Sequence, residues 1–386
     1  MRSAILILLI LFVSDIGARA ATLTDIALQE EWRIGGSDDV ILGSVVDVEA
    51  DSADRIYILD GQLCRVLTIS PEGELVGVVG REGEGPGEFR RPRSLILEPD
   101  GTIGVMMSMP GRVVRMSPKG EPLPDLPLPV PGDGSTLTLG GLELKGGNLV
   151  IYRFDRTFGA QTVDQNICLQ RVGPGGVGGI RYHCMFVRDI PERMVMDETE
   201  RGEVLQRWAV GPDGRVWFAE GYETYRLRVW HEDGTFDREF KRDFVPRRRS
   251  PEQLAAREDL IRSMIRNWPP NTQINISEFD LTIQSFRILP DGGCWVLTSR
   301  GLHDRPVGSL GVWDVFDAAG AYSGQVALIG EGDPARDTIH FVGDRILVVR
   351  GALDSRLAAA GGAVGAAAGE REQPVEVVCF GLADRR

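Results

Sequence analysis

Gly80–Pro92, GREGEGPGEFRRP, packs four glycines and two prolines into thirteen residues, with one aromatic, Phe89, near its end. Glycine costs entropy in a regular element and proline removes a backbone donor, so this run cannot form the interior of a helix or a strand. It suits a tight, stiff crossing between two sheets, with Phe89 as the plug that fixes it. A strand-like run, Leu95–Glu98, follows, and then the turn Pro99-Asp100-Gly101.

Working outward, the same order recurs: an apolar strand, an Asp/Gly turn, a second strand, and a third strand ending in another glycine turn. SVVDVEADSADRIYILD with CRVLTISPEGELVGVVG is followed by RSLILEPDGTIGVMM with GRVVRMSPKGEPL. The shared string at Arg65–Glu74 and Arg112–Glu121 is offset by 47 residues. Later copies include RWAVGPDGRVWFAE and SFRILPDGGCWVLT, and two degenerate ones cover LGGLELKGGNLVIYRF and TIHFVGDRILVVRG. The first turns of the six units fall near Asp54, Gly101, Gly147, Gly214, Gly292 and Asp344, at intervals of 46 to 78 residues. A period of this size with several short strands is that of a propeller blade.

The linker G-x-x-G-x-G-P-G-x-F-x-x-P, carried by Gly80, Gly83, Gly85, Pro86, Gly87, Phe89 and Pro92, resembles the linker of the NHL repeat. The chain as a whole resembles exported, bacterial-type six-bladed propellers of that group. The likeness is clear over the first two units and weakens afterwards. Met106-Met107 stand where the family usually ends the second strand with an aspartate. The expected fold is all-β: a six-bladed β-propeller closed by an N-terminal strand, Leu28–Ile34, which supplies the fourth strand that the last unit lacks. Closure of this kind removes open sheet edges.

Three segments fall outside the repeat. Gly175–Gly202 reads as a long, partly charged connection. Residues 357–373, LAAAGGAVGAAAGEREQ, read as a flexible Ala/Gly loop. Residues 245–280 read as a helical insertion: Ser250-Pro251-Glu252-Gln253 is a capping box with proline at the first helical position, and Pro269-Pro270 ends the helix. Its apolar residues, Leu254, Leu260, Ile261, Met264, Ile265 and Trp268, recur at helical spacing.

The first twenty residues carry Arg2, an apolar core Ala4–Val13 too short to span a bilayer, and a small-x-small site, Ala18-Arg19-Ala20. They read as a signal peptide cut near Ala20, with export to the periplasm or beyond, and residues 21–386 as one propeller domain. With 43 basic and 56 acidic residues, the net charge is −13. That excludes a nucleic-acid footprint. A monomer without a membrane span in the mature chain is expected. Of the five cysteines, none has C-x-x-C spacing. Cys168 and Cys184, sixteen residues apart, could close a hairpin, but five buried thiols are the preferred reading.

Six-bladed rings include gluconolactonase-like hydrolases with a channel calcium and amidating lyases with a histidine-bound zinc. Of four histidines, His340 alone falls on an inner strand; His183, His231 and His303 fall in connections or turns. Zinc needs several convergent ligands. The inner-strand carboxylates Asp47, Glu49, Glu98, Glu143 and Asp337 do not follow the Glu, Asn, Asn, Asp pattern that the lactonase resemblance implies. No metal or other cofactor is therefore expected. What remains is a polar set at the channel mouth, Arg93, Gln206, Arg207 and Gln284, with Ser94 and Ser285 beside it. Arg247-Arg248-Arg249 precedes the inserted helix; these residues either meet an anionic ligand or pair with the protein's own carboxylates. The leading function is a binding or protein-interaction module for a partner protein or a small polar or anionic ligand. The alternative is a propeller hydrolase or lyase with an unrecognised channel site.

Overall fold

A computed structural model describes residues 22–36, 40–132, 135–200, 207–334, 336–359 and 374–382. The expected signal peptide, Gln206 and residues 360–373 lie outside them. The protein is a β-propeller. After β1 (Leu23–Gly35), the first sheet holds β2 (Val45–Ala50), β3 (Ile56–Asp60), β4 (Arg65–Ile69) and β5 (Leu75–Val79), in that order. The second holds β6 (Pro92–Leu97), β7 (Ile103–Met107), β8 (Arg112–Met116) and the stub β9 (Pro122–Leu123). The third holds β10 (Thr136–Lys145), β11 (Asn148–Phe158), β12 (Val163–Arg171) and β13 (Arg181–Asp189). A connection carrying β14 (Val195–Asp197) leads to the fourth sheet, β15 (Trp208–Val210), β16 (Val216–Ala219), β17 (Arg226–Trp230) and β18 (Phe236–Lys241). Helix α1 (Pro251–Met264) and β19 (Gln273–Asn275) follow, and β19 pairs in parallel with β14.

The remaining strands form one eight-stranded sheet. β20 (Ile283–Ile288), β21 (Cys294–Thr298), β22 (Ser309–Phe316) and β23 (Tyr322–Ile329) make one half, and β24 (Thr338–Val342), β25 (Arg345–Arg350) and β26 (Glu376–Leu382) the other. β1 joins them. Residues 28–35 pair antiparallel with β26, Leu28 opposite Leu382 and Ile34 opposite Val377. Residues 23–27 pair in parallel with β23, Leu23 opposite Gln325. This second pairing was not legible in the sequence, because Leu23–Ala27 shows no apolar alternation.

Alternate residues of a strand point to opposite faces, and here both faces are covered. Ile56 and Ile58 of β3 join a cluster with β25 and β26, whereas Tyr57 and Leu59 join one with β6 and β7. Further clusters lie between the second and third sheets, the third and fourth, the fourth and β20–β23, and β20–β23 and β24–β26. Followed round, these interfaces return to the first sheet. Cys64, Cys294 and Cys379 are buried among them as small hydrophobes.

The linker is built as its composition requires. Phe89 is fully buried in the cluster between the first two sheets. Gly80, at φ +84°, lies against it; a Cβ there would stand 2.6 Å from the ring. Glu88 folds back over the loop: its carboxylate accepts from Gly85 N at 2.9 Å and pairs with Arg81, leaving no room for a side chain at Gly83. Asp60, at the end of β3, accepts from the backbone N–H groups of Gly43, Ser44, Gln62 and Leu63. Met107 takes the matching place in the second sheet, which forms without that clasp.

Four expectations change. Gly175–Gly202 is not only a connection, because Arg181–Asp189 is the fourth strand of the third sheet. Cys168 and Cys184 stand opposite each other on β12 and β13 and form a disulfide, so the preference for five thiols is wrong; spacing alone could not give the register that brings them together. The helix count rises. Short α2 (Ser299–His303) follows β21, and α3 (Ala352–Ala359) takes in residues 357–359 of the expected loop. Helix α1 has the expected capping box, Ser250 with Gln253, but stops at Met264, where the residue preceding Pro269 can no longer hold helical geometry within the next turn. Ile261 is buried, whereas Met264 is exposed.

Two outcomes follow from this architecture. Phe89→Ala should cost about 3–5 kcal/mol in denaturant unfolding, the range for a truncated core aromatic, and Glu88→Ala distinctly less; equal losses would deny the ring its role as plug. Deleting residues 21–36 strips partners from both β23 and β26, and should yield aggregate on size-exclusion chromatography. A monodisperse deletion with an unchanged melting curve would contradict the joining role of β1.

Candidate channel site

The inner strands β2, β10, β15, β20 and β24 surround a cavity of about 530 Å³. Residues two apart on a strand share a face, and β10 sends both Glu143 and Lys145 to the cavity; Glu49 of β2 lines it too, and Asp47, two residues earlier, lies close enough to feel the charges of Glu49 and Glu143. Lys145 Nζ stands 3.7 Å from Glu49 Oε1, linking the third sheet to the first across the channel. Trp208, Phe286 and Phe341 supply aromatic wall, and His340 and Arg287 complete the polar lining. Arg287 is held by its own surroundings: it lies over the rings of Trp295 and Phe341 and donates to Gly343 O at 3.0 Å.

Two of these carboxyls also tie neighbouring sheets. Asp47 Oδ2 accepts from Leu95 N of β6 at 2.7 Å, and Oδ1 from Val48 N at 2.9 Å. Glu143 Oε2 accepts from Val210 N of β15 at 2.6 Å. Burial in the channel pushes the Asp47 carboxyl up to about 8, with the charge of Glu49 adding to it. Burial likewise takes Glu143 to about 7, against the pull of Lys145 and the Val210 hydrogen bond. Glu49 is raised by burial too. Burial alone would lower Lys145, but the charges of Glu49, Glu143 and Asp47 outweigh it and raise that amine.

The residues expected at the mouth sit elsewhere. Arg93 is exposed on β6, where the register shifts between Pro92 and Ser94. Arg207 is buried, and its guanidinium donates to Ile283 O at 2.8 Å and to Gly221 O, joining the fourth sheet to β20. Gln284 Nε2 donates to Leu281 O at 2.7 Å. None of these three lines the cavity; Ser285 does. Glu98 pairs with Arg115 on the second sheet, and Asp337 accepts from Asp333 N and Gly351 N away from the channel. Lys145 was the residue missed. Its signal was the spacing Glu143-x-Lys145 on an inner strand. Among the described residues no group of three or more His, Cys, Asp or Glu is arranged to hold a metal ion.

The arginines before α1 meet the protein's own carboxylates, as the second reading had it, but most of that pairing is buried. Arg249 grips Glu198 at 2.7 and 2.9 Å and Asp280 at 2.8 Å; Arg257 of α1 reaches Glu198 at 2.7 Å, and Tyr222 donates to the same carboxylate. Arg247 pairs with Asp280 and Asp304. Only Arg248, paired with Glu278, lies at the surface. Burial would raise Glu198, yet the hydrogen bonds from Arg249 and Tyr222 and the Arg257 charge hold it below the usual carboxylate range.

The sequence matches no known protein-family model and no curated protein. Among solved structures, it is similar to a virginiamycin B lyase from Staphylococcus aureus, at 13% identity over 83% of this chain and 80% of that one, with a TM-score of 0.41. A putative exported protein from Bacteroides fragilis gives 11% identity, 93% and 99% coverage and a TM-score of 0.44. A gluconolactonase from Xanthomonas campestris gives 11%, 90% and 89%, and 0.41. Likenesses this distant carry no argument about the site.

The raised carboxyls make stability depend on pH in a fixed direction. A carboxyl whose folded pKa exceeds its unfolded value, about 4, stabilises the fold fully below the unfolded pKa and loses that contribution as pH rises through the folded one. For Glu143 and Asp47 the loss ends near about 7 and about 8. The melting temperature should therefore fall between about pH 5 and 8 more steeply in the natural protein than in an Asp47→Asn, Glu143→Gln variant; parallel curves would contradict the assignment. For the buried network, Arg249→Met should cost about 3–5 kcal/mol, the penalty for a buried charge left unpaired. Arg248→Ala should cost less than about 1 kcal/mol. Chemical denaturation of both variants checks the contrast.

Proposed function

We propose that the protein is an exported, monomeric six-bladed β-propeller that acts as a binding module, and that its channel takes a small polar ligand carrying an amine. The six-blade reading is supported by the closed cycle of apolar interfaces, with the eight-stranded sheet counted as two blades joined by β1. The ligand reading rests on one observation: Glu49 and Glu143 line a channel, Asp47 lies close enough to feel their charges, and Lys145 is the one amine among the described lining residues. These carboxyls are held toward the neutral form by burial. An entering cation would ionise them and gain their attraction in a poorly solvated space. Trp208, Phe286 and Phe341 add ring faces, which favour cations.

A second reading, an acid–base hydrolase or lyase, is favoured by Glu143, whose pKa of about 7 matches what general acid–base chemistry needs at neutral pH. Its hydrogen bond to Val210 N gives it a structural duty as well, so the binding reading is preferred.

Isothermal titration with 1,4-diaminobutane, and with succinate as the acidic counterpart, tests the proposal. The diamine should bind with release of protons, seen as heat that depends on the buffer, and Glu49→Gln should weaken it about tenfold, the loss of one charge-assisted contact. Preference for succinate, or no saturation by about 10 mM, would refute it. Turnover of an ester or lactone panel that vanishes in Glu143→Gln would install the enzyme reading instead.

A further inference from the structure

The second sheet ends in a two-residue strand, β9, whereas the neighbouring strands β10–β13 run nine to eleven residues. The face that the third sheet turns toward the second is therefore longer than its cover. Leu126 and Leu128 cap its inner part beside Leu139 and Ile151. Beyond them an open cleft of about 820 Å³ remains.

Its floor is polar and buried. Arg153 is 5% exposed; Nε and Nη2 both donate to Asp155 Oδ1, at 3.0 and 2.6 Å. Its Nη1 has no protein partner among the described residues. Gln170 is 3% exposed and lines the cleft, and its amide likewise has no partner among the described residues. Arg153 stands opposite Cys168, two residues from Gln170, so the two side chains are diagonal neighbours on one sheet face. The Cys168–Cys184 disulfide ties β12 to β13 beneath them. Arg181, exposed and without an ion-pair partner among the described residues, stands at the rim; with Arg153 and Asp155 it leaves the cleft one positive charge in a chain of net charge −13. Around this floor the walls are apolar and exposed: Val130, Val177 and Phe186 are 83%, 74% and 55% exposed.

We propose that this cleft is a second ligand site, independent of the channel, for a small carboxylate with an apolar body. The carboxylate accepts from Arg153 Nη1 and from the Gln170 amide, donors on two largely buried side chains that lack protein partners among the described residues. The apolar body covers Val130, Val177 and Phe186, and Arg181 attracts the charge from the rim. A purely inorganic anion would satisfy the floor and leave the walls exposed.

Ligand-observed NMR titration with phenylacetate, benzyl alcohol and inorganic phosphate tests this. Phenylacetate should saturate and bind at least about tenfold more tightly than the alcohol, which lacks the charge, and than phosphate, which lacks the ring. Gln170→Leu should weaken it about tenfold, and Arg181→Ala about threefold. Arg181 is exposed, so that variant reports even if a floor variant folds poorly. Glu49→Gln should leave phenylacetate binding unchanged while weakening the diamine in the channel. Equal binding of acid and alcohol, phosphate binding as tight as phenylacetate, indifference to Arg181→Ala, loss of phenylacetate binding in Glu49→Gln, or no saturation by about 20 mM would each overturn the proposal.

Discussion

Strand β1 is hydrogen-bonded on both sides, in parallel to β23 through residues 23–27 and antiparallel to β26 through residues 28–35. Without it, the half-sheets β20–β23 and β24–β26 would each present an unpaired outer edge, β23 and β26. Here one strand bends from the outer edge of β23 to the outer edge of β26 and removes both edges together. Trp32 and Ile34, on the β26 side, then carry this strand's apolar face into the core shared with β2–β4. The two ends of the chain meet in that contact. The cost of closing so long a loop grows only logarithmically with its length, whereas the buried apolar area and paired backbone accumulate with each residue.

Closing the ring places charge where water is scarce. Inner strands converge on the channel, and side chains that would be solvated on a free sheet face one another there. Asp47 and Glu143 answer part of that cost by accepting from backbone N–H groups of adjacent sheets; outside the channel lining, Arg207 ties sheets in the opposite sense by donating to the carbonyl of Ile283. Each side chain thus works as an extra rung between sheets whose own ladders run within a blade. Burial deprives these carboxyls of water and raises their proton affinity against the pull of those hydrogen bonds. Structural ties and chemical potential for binding arise from the same crowding.

The periphery follows from mismatch in length. Where β18 ends, a long insertion returns to β20 by way of α1 and β19, and the ion network around Glu198 fastens α1, Tyr222 and Asp280 to the connection that carries β14. Three arginines at a helix start would oppose its dipole in isolation; here Arg247 and Arg249, paired with the buried Asp280 and Glu198, anchor it. Where β9 stops after two residues, no described strand of equal length covers β10–β13 on that side, and a cleft with a buried polar floor is left between the sheets.

Local chemistry in the sequence was enough for the elements and their repeat. Glycine and proline forbid regular structure at Gly80–Pro92, Ser250-Pro251 with Gln253 starts a helix, and short apolar runs bounded by Asp/Gly turns mark the strands. Those signals act over a few residues, and the structure bears them out. The partners of each element were another matter. Whether Cys168 meets Cys184 depends on the register of β12 against β13, and Arg207 reads as a free cation until β20 supplies a carbonyl. Likewise Asp47, Glu143 and Lys145 are ordinary charged residues along the chain, and become neighbours when two distant inner strands, β2 and β10, converge. The pairing of Leu23–Ala27 with β23 carries no apolar pattern because it is made by backbone groups, which every residue possesses. Contacts between residues far apart in sequence are set by how whole sheets pack, and that packing depends on the sum of many weak apolar contacts rather than on any string of letters.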